Sequence, residues 1–158
     1  MKRIFYFLLI ISSTPLISQD ILPLRERAVL IEKIQKERIQ KLLPALMEEQ
    51  DIDLWVMITR EYNEDPVVKT LLPPTWLNAR RRTILVFSKT NSGIEAVAIT
   101  RYNFGNNISS IWNKEKQPDQ WKALANYIIS QNPEKIGVNI SEHYGIADGL
   151  AKTDFDAM

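Results

Sequence analysis

The chain of 158 residues contains no cysteine and a single histidine. The lack of cysteine excludes disulfides, zinc–thiolate sites, iron–sulfur clusters and thiol nucleophiles. One histidine excludes a site built mainly from imidazoles. The chain also lacks an excess of charge, since 20 Lys and Arg stand against 19 Asp and Glu. It therefore has no basic field of the kind that binds nucleic acid, and we expect no nucleic-acid partner.

Long apolar runs are missing too. The run from 4 to 11 is shorter than the roughly 20 residues that a membrane-spanning helix needs, but it suits the apolar region of a signal peptide. Lys2 and Arg3 precede it, and Ser18 offers a small residue for cleavage. We predict a signal peptide over 1–18, export to the periplasm or the medium, and no stable membrane anchor after cleavage. A buried N-terminal strand or an uncleaved anchor is the alternative.

The chain has 45% apolar and 25% charged residues, a composition typical of globular proteins. By length, residues 19–158 form one domain. Good helix formers with apolar residues at three- and four-residue steps predict a helix over 24–50, which Pro44 should kink or split. The continuous apolar run 54–58 predicts a strand buried on both faces. A long loop with a short helical turn follows over 59–82.

The second half of the chain predicts a hairpin, a helix and a returning strand. Apolar runs over 83–87 and 94–99 flank a turn that ends in Gly93, which is typical of a β-hairpin. An edge strand is expected over 107–112, a helix that begins near Asp119, and a strand over 135–140. This order indicates an α/β fold with a mixed β-sheet flanked by helices.

Residues 153–155, close to the C-terminus, resemble the cap and first turn of a helix. We interpret the domain as incomplete at its C-terminus, a protein truncated after its first domain. A naturally short, disordered tail is the alternative.

Three groups of residues are candidates for chemistry. Glu61 and Asp65 follow the buried strand and could form a carboxylate pair or a cation site, although such residues are often solvated or paired locally. Arg80–Arg82 could bind phosphate or carboxylate; alternatively, Arg81 faces one way while its neighbours pair with the acidic loop. His143 lies beside Ser141 and Glu142, but adjacency in sequence is not triad geometry, and a structural histidine is the alternative.

Four segments resemble the N-terminal domain of the creatinase, prolidase and aminopeptidase P superfamily, in its exported bacterial form. The most specific is the first, which contains the run Arg-Glu-Tyr-Asn-Glu-Asp-Pro. The resemblance covers most of residues 24–154 and is carried by Asp51–Pro66, Ala79–Phe87, Lys135–Asn139 and Ala147–Leu150.

The resemblance implies that the complete protein is a two-domain Xaa-Pro aminopeptidase-like metallopeptidase. Its N-terminal domain would shape the substrate entrance and help to form a homodimer. Its catalytic pita-bread domain would hold two divalent metals (Mn, Co or Zn) through two Asp, one His and two Glu, and would cleave peptides before proline. This chain carries none of those five ligands, so we expect no metal, no cofactor and no catalytic residue within it. Tyr62, Asn63 and Arg81 are expected to contribute to substrate binding.

Three hypotheses follow from the sequence. The first is a non-catalytic N-terminal domain, present as a fragment, of an exported Xaa-Pro aminopeptidase-like enzyme. The second is a stand-alone periplasmic binding or dimerisation module without peptidase activity. The third is an independent hydrolase that uses Ser141, Glu142 and His143, or the Glu61 and Asp65 pair.

Overall fold

A computed structural model describes residues 21–145 and 148–158. The predicted signal peptide, residues 1–18, lies outside the described residues. Among the residues that are described, no helix is long and apolar enough to cross a membrane.

The fold is built on one five-stranded sheet with the strand order β4-β3-β2-β1-β5. Strand β2 is antiparallel to both β1 and β3, whereas β5 is parallel to β1 and β4 is parallel to β3. The predicted α/β class with a mixed sheet is confirmed. The strands are β1 (Leu54–Arg60), β2 (Arg82–Thr90), β3 (Gly93–Ala98), β4 (Ser109–Ser110) and β5 (Ile136–Val138).

The predicted first helix is divided near Pro44. Helix α1 (Leu24–Glu37) continues into a π-helical turn (Arg38–Leu42), and α2 (Leu43–Glu49) begins with Pro44 in its first turn. Proline lacks an amide hydrogen, and the π-helical turn, in which the helical hydrogen bonding changes, lies directly before it. The remaining helices are α3 (Pro66–Leu71), α4 (Gln120–Gln131) and α5 (Lys152–Phe155).

The sheet separates two apolar cores, as the doubly buried β1 pattern predicts. On one face, Met57 and Phe87 pack with Leu43 and Met47 of the first helical layer. On the other face, Val56, Ile58, Ile84 and Val86 pack with Leu124 of α4. Alternation along each strand sends successive side chains to opposite cores. The result is three layers, with the sheet in the middle.

Local turn chemistry matches the sequence in three places. Gly93 has a φ of 126° at the hairpin turn, a conformation that favours glycine. The Asp119 carboxylate accepts a hydrogen bond from the Trp121 amide at 2.9 Å and so caps α4. Asn132 ends the same helix with a φ of 47°.

The two edge strands are shorter than predicted, and β5 is less buried. Ile136 remains 42% exposed because β5 borders only β1, and Ile140, which lies beyond the end of β5, is 57% exposed. The expected strand stops before Asn139, whose side chain is hydrogen-bonded to Trp55 and Asp65.

Candidate functional site

The direction of the strands gathers polar residues at one end of the sheet. Strands β1, β3, β4 and β5 run the same way, so their carboxyl ends lie together with the amino end of the antiparallel β2. Arg60 at the end of β1 pairs in register with Arg82 at the start of β2. Ligands of α/β proteins commonly bind at this end of a sheet.

A cleft of about 460 Å³ opens at this end. None of its lining residues is acidic. Aromatic rings from Trp76, Tyr102 and Trp112 complete its wall. We call it the arginine cleft, because its lining includes Arg60, Arg80, Arg81, Arg82 and Arg101.

Two of these arginines are held against tryptophan rings. The Arg80 guanidinium lies 5.0 Å from the centre of the Trp76 ring, and that of Arg82 lies 4.4 Å from the centre of the Trp121 ring. Within the described ranges neither Arg80 nor Arg82 forms an ion pair with the acidic loop, contrary to the expectation from the sequence. A guanidinium is attracted to the face of an aromatic ring, and this contact does not use its N–H donors.

Arg82 is further fixed by the first residue of α4. Its Nε donates to Gln120 Oε1 at 2.8 Å, while Gln120 Nε2 donates to the Ile99 carbonyl at 2.5 Å. Partial burial lowers the pKa of Arg82, and the nearby positive charge of Arg60 lowers it further. The guanidinium nevertheless stays charged, because arginine titrates far above neutral pH.

Arg60 forms a two-pronged ion pair with a distant residue. Its Nε and Nη2 donate to the Asp154 carboxylate at 2.7 and 2.5 Å. This hydrogen bonding raises the pKa of Arg60. Asp154 is buried on α5, so the pair attaches the last helix to the end of β1.

The three residues expected to bind substrate share one shallow cavity. With Glu61, they line a space of about 320 Å³ that adjoins the arginine cleft and shares Arg60, Arg81 and Arg82 with it. Tyr62 is 96% exposed. The structure thus brings the three residues together, and their role in binding stays a prediction.

Backbone geometry fixes two of these three residues. The amide and carbonyl of Asn63 both pair with Arg60 at 3.1 Å, which closes a tight turn directly after β1. Arg81 has a φ of 48°, the left-handed region that non-glycine residues seldom adopt. Its backbone turns there immediately before β2.

Asp65 does not pair with Glu61. Its Oδ1 accepts from the Val67 and Val68 amides at 2.8 and 2.9 Å and so caps α3. The side chain of Asp65 is fully buried, whereas Glu61 is exposed. The carboxylate of Asp65 is therefore occupied in holding the fold, which contradicts the carboxylate-pair hypothesis.

Asp65 also joins three of the segments that carry the family resemblance. Its Oδ2 accepts from Asn139 Nδ2 at 2.6 Å, and Asn139 Oδ1 accepts from Trp55 Nε1 at 2.7 Å. Gly149 lies against the same carboxylate, with no room for a β-carbon. Segments separated by about 80 residues in sequence thus meet around one buried acidic group.

The residues of the hydrolase hypothesis do not form a triad. Ser141 Oγ accepts a hydrogen bond from the Tyr144 amide at 3.0 Å, a local turn contact. His143 is exposed, and no hydrogen bond within the described ranges joins it to Ser141. Nor do residues 21–145 and 148–158 contain a group of three or more His, Asp or Glu side chains able to hold a metal ion.

Sequence reasoning missed most of the arginine cleft, including Trp76, Arg101 and Tyr102. The predicted hairpin could have indicated that Arg101 and Tyr102 lie near Arg80–Arg82. Since β2 and β3 are antiparallel, residues just before β2 and just after β3 must lie at the same end of the sheet. The tryptophans that stack on the arginines come from separate elements and leave no such signal.

Comparisons with known proteins return no matching family model, no matching curated protein and no matching solved structure.

Proposed function

We propose that this chain is the non-catalytic N-terminal domain of an exported Xaa-Pro aminopeptidase-like metallopeptidase. In that role it shapes the entrance through which peptide substrate reaches a separate pita-bread domain, and it contributes to a homodimer. The catalytic domain, not this chain, supplies the two divalent metals. Tyr62, Asn63 and Arg81 contact the substrate.

One observation carries the proposal. The three residues selected by resemblance to the family lie on the rim of a single open cavity, at the end of the sheet where four strands terminate. The backbone of Asn63 is held by a tight turn, and the backbone of Arg81 has a left-handed φ, so the fold fixes the main chain from which these side chains extend. An open polar cavity suits a domain that guides a substrate without reacting with it.

The chemistry of the described residues is also in keeping with a non-catalytic role. Asp65 is committed to capping α3, and Asp154 to binding Arg60. Neither carboxylate is available as a general base or metal ligand without breaking a contact that the fold uses. The described residues therefore do not fit the ligand set of a two-metal centre, and no catalytic step is assigned to them.

The first test is to read the DNA downstream of the codon for Met158. We expect an open frame that supplies two Asp, one His and two Glu as metal ligands. The product of that longer frame should hydrolyse Xaa-Pro peptides with manganese, and the 158-residue chain should not. An immediate stop codon, or metal-dependent hydrolysis by the 158-residue chain, would contradict the proposal.

The arginine cleft favours a second candidate, a stand-alone periplasmic binding module. A concave site with clustered cations and aromatic rings is able to hold a small ligand with no second domain. This candidate requires a monodisperse chain that unfolds cooperatively. An aggregated or partly molten preparation would contradict it.

A further inference from the structure

We propose that the arginine cleft binds a small ligand in which two or more carboxylates are attached to a flat, ring-like frame. This inference depends on the geometry of the cleft alone and stands whether or not the proposed function holds. It adds Arg80, Arg82, Arg101 and the aromatic wall to the residues expected to contact a ligand.

The first argument is charge. Five arginine residues line the cleft, and only Arg60 forms an ion pair with a carboxylate within the described ranges. Arg82 lies within range of the Asp154 and Asp119 charges but donates to a neutral amide. Several positive charges therefore share a small concave space whose lining contains no acidic residue, an arrangement that favours an anion with more than one charge.

The second argument is the type of anion. A guanidinium presents parallel N–H donors that match a carboxylate in a two-pronged pair. At the end of β1, Arg60 already makes this two-pronged pair with the Asp154 carboxylate. The other arginines of the cleft are able to make the same pair with a carboxylate of a ligand. Arginine also suits phosphate and sulfate, and the experiment below separates these tetrahedral anions from carboxylates.

The third argument is shape. The guanidinium groups of Arg80 and Arg82 lie over the rings of Trp76 and Trp121, a contact that limits their freedom. Trp76 itself packs edge-on against Phe104, with ring centres 5.0 Å apart. Tyr102, 58% exposed, adds an aromatic face at the cleft. A flat ligand is able to stack on such rings while its carboxylates meet the arginine edges.

The test uses isophthalate, a benzene ring that carries two carboxylates, and its neutral diamide, isophthalamide. The full 158-residue chain is titrated with each at near-neutral pH, and calorimetry is combined with tryptophan fluorescence, since Trp76 and Trp112 line the cleft. We expect saturable binding of isophthalate with a dissociation constant of about 1 mM or tighter. Isophthalamide and inorganic sulfate should bind at least about tenfold more weakly.

Variants locate the site. Arg81→Gln and Arg101→Gln should each weaken isophthalate binding about tenfold, because each removes a charged donor from the cleft. Both side chains are exposed, so the fold should tolerate the change, which circular dichroism checks. Arg25→Gln, on exposed α1 in a different layer, is the matched control and should not alter binding.

Four outcomes would overturn the inference. Equal affinity for isophthalamide would show that the carboxylates are not recognised, and equal affinity for sulfate would show a general oxyanion site without ring selection. Absence of saturable binding up to about 10 mM, or equal weakening by the Arg25 control, would show that the cleft does not bind this ligand.

Discussion

At the scale of single residues, Gly149 is the most constrained glycine of the described chain. An added β-carbon there would overlap the Asp65 carboxylate, which caps α3 and accepts from Asn139. We expect Gly149→Ala to lower the free energy of unfolding by about 2 to 4 kcal/mol, because the buried carboxylate must leave at least one of its donors. Urea denaturation measures the change.

Gly145 provides the matched control for this substitution. A β-carbon at Gly145 meets no atom within 4 Å, so Gly145→Ala should change the stability by less than about 0.5 kcal/mol. If the two variants are equally stable, the carboxylate of Asp65 does not constrain the chain at Gly149.

Ionisation of Tyr127 makes the stability of the fold depend on pH in the alkaline range. Burial raises its pKa to about 12, the hydrogen bond with Ser88 lowers it, and the hydrogen bond to Glu95 raises it. The folded state therefore holds the phenol proton more tightly than the unfolded state, in which the pKa of tyrosine is near 10. Stability from this group is present below pH 10 and is lost as the pH rises toward 12.

Replacing Tyr127 with phenylalanine tests this dependence. Phenylalanine has no proton to lose, so the decline in unfolding free energy between pH 10 and 12 should be shallower in Tyr127→Phe than in the natural chain. Urea midpoints measured at intervals across this range give both slopes. Parallel slopes would mean that the phenol of Tyr127 is not protected by the fold.

At the scale of secondary-structure elements, local patterns predicted the sheet, the helices and several caps. Each of these features depends on residues that are neighbours in the sequence, so a local sequence pattern predicts it. Examples are the apolar run before Arg60, the turn at Gly93 and the cap at Asp119. The π-helical turn before Pro44 was not predicted, because proline shows where a helix is disturbed but not how the preceding carbonyls adjust.

The site was less predictable than the elements. The role of Asp65 depends on Asn139, 74 residues away, and that of Arg60 on Asp154, 94 residues away. Without Asn139, the sequence left Asp65 open to interpretation as a carboxylate pair or cation site with Glu61, and nothing local indicated that Asp154 pairs with Arg60. Grouping Tyr62 with Arg81 came from the family resemblance and not from any spacing in the chain.

Helix α5 has only four residues, so its place depends on the Arg60–Asp154 pair. Asp154→Asn removes the charge from a buried acceptor while the Arg60 side chain stays 45% exposed. We expect the free energy of unfolding to fall by about 1 to 3 kcal/mol. This is less than for a fully buried ion pair, because solvent surrounds part of Arg60. Hydrogen exchange should show earlier opening of the amides of 154–156 than of β1.

Asp156→Asn is the control for this helix. Asp156 pairs with Lys152 one turn away, and both side chains are largely exposed. Loss of this pair should lower the free energy of unfolding by less than about 0.5 kcal/mol. The hydrogen exchange of the α5 amides should stay nearly unchanged. Equal effects at 154 and 156 would show that the ion pair with Arg60 does not hold the helix.

At the scale of the whole molecule, the two cores share one sheet. Each long strand sends alternate side chains to the α1–α3 side and to the α4 side, as Met57 and Val56 do. A loss of packing on either face therefore loosens strands on which the opposite face depends. The same sheet end carries the arginine cleft, so a stable sheet is also what keeps five cationic side chains close together.

This sharing predicts a single cooperative unfolding transition. Met47→Ala on one face and Leu124→Ala on the other should each lower the free energy of unfolding by about 2 to 5 kcal/mol. Ile129→Ala, at a site 75% exposed on α4, should have an effect below about 0.5 kcal/mol. Circular dichroism and tryptophan fluorescence should report the same urea midpoint in every variant. If Leu124→Ala lowers the fluorescence midpoint alone, the two faces unfold separately, and the sheet does not couple the α4 layer to the helices on its other side.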